Sequence, residues 1–363
     1  MNPEIHIVVV WEKGLNMLGP ILYDLENTFE IVDVSRVVWH KDFFSNNLSR
    51  FYGQNLKNKS FKERHCGTGP FMAIVLRDKN VIYELRKTSK GISRVNSRLF
   101  DKKQKYRYWT GGGHRVHCSN NLDESKRDLL FMLNKSDADY LNQGSWDGVI
   151  RNHDNNILGF NGWNDFGELF KFINNFDNYV FLRNYNNLKS YDNHDSDIDF
   201  LTNDLNFYYN INAFKKHKSK YRASYFVKVD NKEYSVDLRN VEDGYYDYKW
   251  SSYMISSKVK YNNEFFIPDL ENELYSLLYH ALIHKYNINS QYINKIKNIS
   301  DEIGLSFKYS HDRRYLLDFL NKFLNKNGYS ITNPADYSVG YNMKYKGFRR
   351  LLWEFIGKVK SVI

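Results

Sequence analysis

The chain has 363 residues, 42% hydrophobic and 17% aromatic, enough for two or three cored domains and too apolar for wholesale disorder. No run approaches the roughly 18 apolar residues of a membrane span, the start MNPEIHIVVV lacks a signal peptide's basic flank and cleavage site, and Cys66 and Cys118 are too few for a disulfide framework or a closed zinc site, so a reducing, cytoplasmic setting is expected. The formal charge of +10 suits nucleic acid, an anionic membrane surface or phosphorylated small molecules, and the basic residues are too evenly spread to choose among them.

Ile5 to Trp11 is an apolar run of strand length, followed by helical spacing over Met17 to Leu25. Phe29 to Val38 reads as a second strand, Lys41 to Tyr52 as a helix, Phe71 to Leu76 as a buried strand and Val81 to Leu85 as another. Asp123 to Leu133 reads as an amphipathic helix with Leu129, Leu130 and Leu133 inward. This order is ferredoxin-like, and a first domain is expected over residues 1–140. Within it, TGGGHRVHCSNN spans Thr110 to Asn121. Its three glycines let the backbone approach a ligand or take left-handed angles. Two histidines and Arg115 make an anionic ligand one reading, and a glycine-rich hairpin with locally bonded histidines is the other.

These residues resemble the nucleoside diphosphate kinase family. Phe51-Tyr52, Gly69-Pro70, Arg86, Arg98 and His117-Cys118-Ser119 leading into a helix follow one another in that family's order. The resemblance implies that His117 accepts a phosphoryl group, that Arg86 and Arg98 hold phosphates beside Tyr52, and that Asp128 supports the histidine. Trp11 stands where the family has a lysine, with Lys13 nearby. His114 replaces the asparagine ahead of the nucleophile, Cys118 replaces the glycine after it, and an insertion lengthens the segment from Arg98 to His117. These departures bear on the kinase activity more than on the fold.

Residues 141–163 are polar and irregular and read as a linker. Asn164 or Asp165 can cap a helix reaching Phe176, with Phe166, Leu169, Phe170 and Ile173 on one face. Tyr179 to Leu182 is a short strand ending at Arg183. D-S-D-I-D-F, Asp195 to Phe200, then places Asp197 and Asp199 on one face of a strand, with Ile198 and Phe200 directed into the core. Two carboxylates that close repel each other, so a cation is expected between them; oxygen ligands suit Mg²⁺, with Mn²⁺ as the alternative. A solvated strand end or Asx turn is the bland alternative. Ser224 to Val229 and Glu233 to Leu238 alternate about Asp230-Asn231 as a β-hairpin, and Asp237 is the natural third ligand.

A helix, a D-x-D strand and a later lone Asp resemble the nucleotidyltransferase superfamily with a polymerase-β-like fold, expected over 164–262. The absence of its Gly-Ser or Gly-Gly pair, with Arg183 standing in, is similar to fukutin-like phosphotransferases and to proteins of surface polysaccharide synthesis. That resemblance implies two metal ions on Asp197, Asp199 and Asp237, a nucleoside triphosphate or nucleotide-activated donor, and a sugar, polyol or glycan hydroxyl as acceptor.

Residues 263–363 read as a helical subdomain completing an α+β chain. Leu270 to Leu282 has helical spacing. His280 and His284 share one face of it without the glutamate or further ligand that zinc requires, so they read as packed or hydrogen-bonded. Lys285 is a candidate for the triphosphate. Arg313 to Lys326 is another amphipathic helix. Phe348 to Val359 is a basic one, read as core packing with an anionic membrane face, the inner one, as the alternative.

Three functions follow. The first is Mg²⁺-dependent nucleotidyl or phosphoryl transfer to a sugar, polyol or glycan, with Asp237 taking the hydroxyl proton. The second is a phosphohistidine kinase or bifunctional phosphotransferase through His117. The third is a non-catalytic nucleotide sensor. Nucleic acid ranks below small glycans, because no basic-aromatic interleaving of a known module is visible.

Overall fold

The computed structural model describes residues 2–89, 91–175, 178–185, 197–218, 222–285, 288–336 and 338–339. The chain forms two compact units, one up to Asn161 and one from Gly162.

In the first unit, β1 (Glu4–Val10), α1 (Leu18–Glu26), β2 (Glu30–Val37), α2 (Phe44–Tyr52), α3 (Phe61–Cys66) and β3 (Phe71–Asp78) follow in order. A separate hairpin comes next, β4 (Tyr83–Thr88) with β5 (Gly91–Asn96), then α4 (Ser97–Trp109), β6 (Val116–Cys118), α5 (Leu122–Leu133), α6 (Asp137–Leu141) and β7 (Arg151–His153). The sheet runs β6-β1-β3-β2-β7, and its first four strands are mutually antiparallel in the ferredoxin-like order. Both faces of β1 and β3 are covered, which accounts for their unbroken apolar runs.

Three stretches noted in the sequence take definite form here. The segment from Arg98 to His117 is largely α4, the helix that brings the chain back to β6, capped by Asn96 and burying Leu99 and Tyr106. Its apolar stripe is interrupted by Lys103, whose ammonium bonds the Cys118 carbonyl at 3.0 Å. Residues 141–163 are not merely a connection, since β7 joins the sheet edge parallel to β2 and Arg151 pairs with buried Asp33 at 3.0 Å. The glycine loop takes left-handed angles, with φ of +87°, +87° and +73° at Gly111, Gly112 and Gly113.

The second unit contains α7 (Phe166–Ile173), β8 (Tyr179–Arg183), β9 (Ile198–Thr202), α8 (Phe207–Asn210), β10 (Phe214–Lys215), β11 (Ser224–Val229) and β12 (Lys232–Asn240). These are followed by α9 (Tyr248–Ser256), the β13 (Val259–Tyr261) and β14 (Phe265–Ile267) hairpin, α10 (Leu270–Tyr279), a π-helical turn over His280–His284, α11 (Ser290–Glu302) and α12 (Arg313–Asn327). Its sheet order is β10-β11-β12-β9-β8, with β9 and β12 parallel. Asp230 and Asn231, at φ +48° and +58°, form the two-residue turn expected of that hairpin. Asp165 caps α7, while Phe176 and the helix expected over Phe348 to Val359 lie outside the described residues.

The helices after residue 263 are not a separate body. Val180, Leu182 and Leu201 on the sheet share one core with Trp250, Leu274, Leu278, Ile293, Leu316 and Leu320 from α9 to α12. Among the described residues no helix is long and apolar enough to cross a membrane.

Candidate active sites

In the first unit, strand alternation sends Val116 and Cys118 into the core beneath α1 and α4 and turns His117 to the opposite face. There His117 Nε2 meets an Asp128 carboxylate oxygen from α5 at 2.8 Å, while Arg127 contacts the other oxygen at 2.8 Å. Burial opposes ionisation of Asp128, but Arg127 and His117 together hold its pKa below the usual range. The imidazole itself is 5% exposed, edge-on to Phe51 and Tyr52 at 4.9 and 5.8 Å between centroids.

Trp11 is fully buried among Trp39, Phe44, Phe51 and Phe71, and its Nε1 donates to Tyr52 Oη at 3.1 Å. An indole therefore fills the position where the resemblance placed a cation, and Lys13 is exposed. His114 lies half-buried 6.0 Å from His65, and burial, with Lys62, Arg107 and His65 nearby, pushes its pKa down to about 4.

Arg86 and Arg98 are not brought to His117. Arg86 pairs with Glu84 on the β4–β5 hairpin, and Arg98 bonds Asp78, Asn80 and Thr28. Asp78 is opposite Glu4 on β1 whereas His117 is opposite Val9, five residues away, or about 16 Å along the strand. Arg127 reaches His117 through the shared Asp128, and Arg107 donates through Nε to the carbonyl of the preceding Val116 at 3.0 Å; only knowledge of α4 would have singled out Arg107. Among the described residues, the one group placing three potential ligand atoms within 4.8 Å of one another is His117, Glu124 and Asp128. All three are engaged: Glu124 accepts from the Asn120 N–H at 2.6 Å, and the other two bond each other.

In the second unit, Arg183, Asp197, Asp199, Asp237 and Lys285 line one cavity of about 290 Å³, together with Arg239, His280 and His284. Asp199 and Asp237 are opposite each other across β9 and β12 and share a face of the sheet. Ile198 and Phe200 are buried, as alternation requires. Asp197 precedes the strand and is exposed. Asp195 and Ser196 lie outside the described residues.

The positive charge demanded by carboxylate repulsion is supplied by arginines. An irregularity in β8 between Phe181 and Arg183 sets two residues against one and turns Arg183 toward Asp199, which it meets at 2.6 Å. Arg239, two residues beyond Asp237 on the same face, pairs with it at 2.9 Å and with Asp336 at 3.1 Å. Ser224 Oγ also donates to Asp237 at 2.8 Å. Burial raises the Asp199 pKa, with Arg183 opposing and Asp237 adding to the rise. The three aspartates thus share a cavity and have the oxygen donors that Mg²⁺ takes, but their oxygens do not gather within 4.8 Å of one another.

The π-helical turn carries His280 and His284 into the same cavity, and such turns frequently mark functional positions. Both imidazoles are buried, and burial together with Arg183, Arg239 and Lys285 holds both pKa values well below the ordinary one. Tyr245 sits beneath them: its Oη bonds His280 Nδ1 at 2.7 Å and accepts from Arg183 at 3.0 Å, and the Arg239 guanidinium lies 4.4 Å from its ring centre. Of these groups, Arg239 could have been found from its i+2 relation to Asp237; Tyr245 and Asp336 carry no sequence signal of this kind.

No protein-family model and no curated protein matches the chain. Among solved structures it is similar to an orthorhombic crystal form of nucleoside diphosphate kinase from Aquifex aeolicus, at 14% identity and a TM-score of 0.26, over 37% of this chain and 99% of that one. It is also similar to the nucleoside-diphosphate kinase of Borrelia burgdorferi, described as a transition state mimic with bound vanadate and ADP, at 11% identity and a TM-score of 0.23, over 37% of this chain and 90% of that one.

Proposed function

We propose that the second unit transfers a nucleotidyl or phosphoryl group to a hydroxyl of a sugar, polyol or glycan, using a nucleoside triphosphate or nucleotide-activated donor. The observation that carries this reading is the cavity itself: Arg183, Asp197 with Asp199, Asp237 and Lys285 come from four separate stretches of chain and line one space. The donor set of three carboxylates suits Mg²⁺ or Mn²⁺, which when bound would neutralise phosphate charge and activate the hydroxyl. Asp237, less buried than Asp199, is placed to take the hydroxyl proton. Arg183 and Arg239 balance the carboxylates and have the fork geometry to turn to phosphate oxygens instead. A neighbouring groove of about 900 Å³ includes Tyr185, two residues beyond Arg183, with Phe166, Tyr234 and Tyr261 offering flat apolar faces to an acceptor ring.

The test is turnover of nucleoside triphosphates with Mg²⁺ across a panel of sugar, polyol and glycan acceptors. Asp199→Asn and Asp237→Asn should abolish transfer with thermal unfolding retained; undiminished turnover in both overturns the reading. A second reading, phosphoryl transfer through His117, is favoured by the His117–Asp128 contact at 2.8 Å. Labelling with γ-labelled ATP would then leave an acid-labile, alkali-stable label on His117. Burial beneath Phe51 and Tyr52, with Trp11 in place of a cation, ranks it second.

A further inference from the structure

The His280 hydrogen bonds determine which of its nitrogens carries a proton. Tyr245 Oη accepts from Arg183, itself held by Asp199, so the lone phenol proton needs an acceptor elsewhere. Among the described residues that acceptor is His280 Nδ1, at 2.7 Å. A neutral imidazole that accepts at Nδ1 carries its proton on Nε2. Burial, with Arg183 from β8, Arg239 from β12, and His284 and Lys285 from its own stretch, favours the neutral ring over the opposing pull of the carboxylates Asp197, Asp199 and Asp237 in the same cavity, while Tyr292 from α11 packs 5.7 Å away. His280 is 6% exposed, lines the cavity, and no described residue accepts from its Nε2. An N–H that faces the cavity with no protein acceptor is free to donate to a ligand that enters it.

We propose that the cavity of the second unit receives a polyphosphate, with the neutral Nε2–H of His280 donating to a phosphate oxygen and the exposed Lys285 ammonium supplying charge. This rests on the transfer reading above and names the part of the donor that the site holds. Tyr245 and Arg183 act as positioning residues, since they set the tautomer of His280.

The full-length chain is titrated calorimetrically with inorganic tripolyphosphate, with and without Mg²⁺. His280→Phe and Lys285→Met should each weaken binding by roughly ten- to a hundredfold, the range of a hydrogen bond to a charged group. Lys322→Met, which removes an exposed lysine paired with Asp318 on α12, should leave binding unchanged. Wild-type protein that binds no tripolyphosphate in either condition overturns the proposal, as does His280→Phe protein binding as tightly as wild type. If His280→Phe fails to fold, nitrogen NMR of histidine-labelled wild type decides. A proton on Nε2 whose resonance moves with tripolyphosphate supports the proposal; a proton on Nδ1, or an unmoved resonance, overturns it. Failure of the transfer reading shows up separately, as absence of turnover in the acceptor panel while tripolyphosphate still binds.

Discussion

Replacing Arg183 by Met nearly keeps the side-chain volume and removes the one cation, among the described residues, in direct contact with Asp199. The Asp199 side chain is 8% exposed and lies opposite Asp237, so its ionised form would lose a 2.6 Å partner and keep its repulsive neighbour. Stranding one half of a buried pair costs about 3–5 kcal/mol, and in a unit of this size each kcal/mol lowers the midpoint by roughly 2–4 °C. The sign with pH follows from the raised pKa of Asp199, which the substitution raises further. Between the ordinary value of 3.8 and the raised one, the folded chain binds the extra proton, so stability falls as pH rises through that window. Only between the wild-type Asp199 pKa and the variant's higher one does the variant alone hold that proton, so the deficit of Arg183→Met should be largest above both and shrink by about 1.4 kcal/mol for each pH unit of acidification between them. Urea unfolding at pH 5, 6.5 and 8, followed through fluorescence of Trp250 in the adjoining core, measures it. Mg²⁺ should restore part of the loss in the variant and less in wild type. A deficit below 1 kcal/mol that does not change with pH would refute the assignment of Arg183 as the counter-charge.

His280 and His284, both held well below the ordinary pKa of 6.5 by burial, must bind protons when the chain unfolds. Stability should therefore fall below pH 6.5 with a contribution approaching two protons, about 2.7 kcal/mol per pH unit, and His284→Phe should halve that contribution in urea titrations. His117→Gln should cost about 1–3 kcal/mol through the loosened Asp128 and leave metal-dependent transfer unchanged; loss of transfer would move the chemistry to the first unit. Gly113→Ala sets a Cβ 1.9 Å from His65 Nδ1 at a φ of +73°, so at least about 1 kcal/mol should be lost, read as a lower melting temperature.

What could be read from the sequence was whatever depends on local period. Alternation placed Ile198 and Phe200 inward and Asp237 on the second strand of a hairpin, and Asp230-Asn231 marked its own turn. The pairing of Asp199 with Asp237 was suggested by residue type, but its register comes from a parallel contact that no local pattern encodes. The arginines that neutralise these acids were half visible: Arg183 was noticed and read as a phosphate ligand, and Arg239 was passed over. Helix α4 was missed because Lys103 sits where an apolar residue would complete the stripe. Without α4, Arg98 was placed by its order in the chain, whereas the register sets it at the far end of the sheet from His117. The histidine pair reads from the sequence as packed or hydrogen-bonded, and both rings are buried; that they also line the cavity is visible only through the π-helical turn.

Asp336 accepts from Arg239, 97 residues upstream, and from the backbone N–H of Ala223, 113 residues upstream. The electrostatic balance of the pocket is thus completed by a residue that leaves the ribosome only after α9 to α12 have been made. Closing a loop of that length is entropically slow. Until it closes, Arg239 has a single carboxylate partner and the sheet edge at Ala223 is open. A nascent chain holding every predicted acid would therefore still lack this closing contact, which should appear late, in step with protection of the Ala223 amide from exchange.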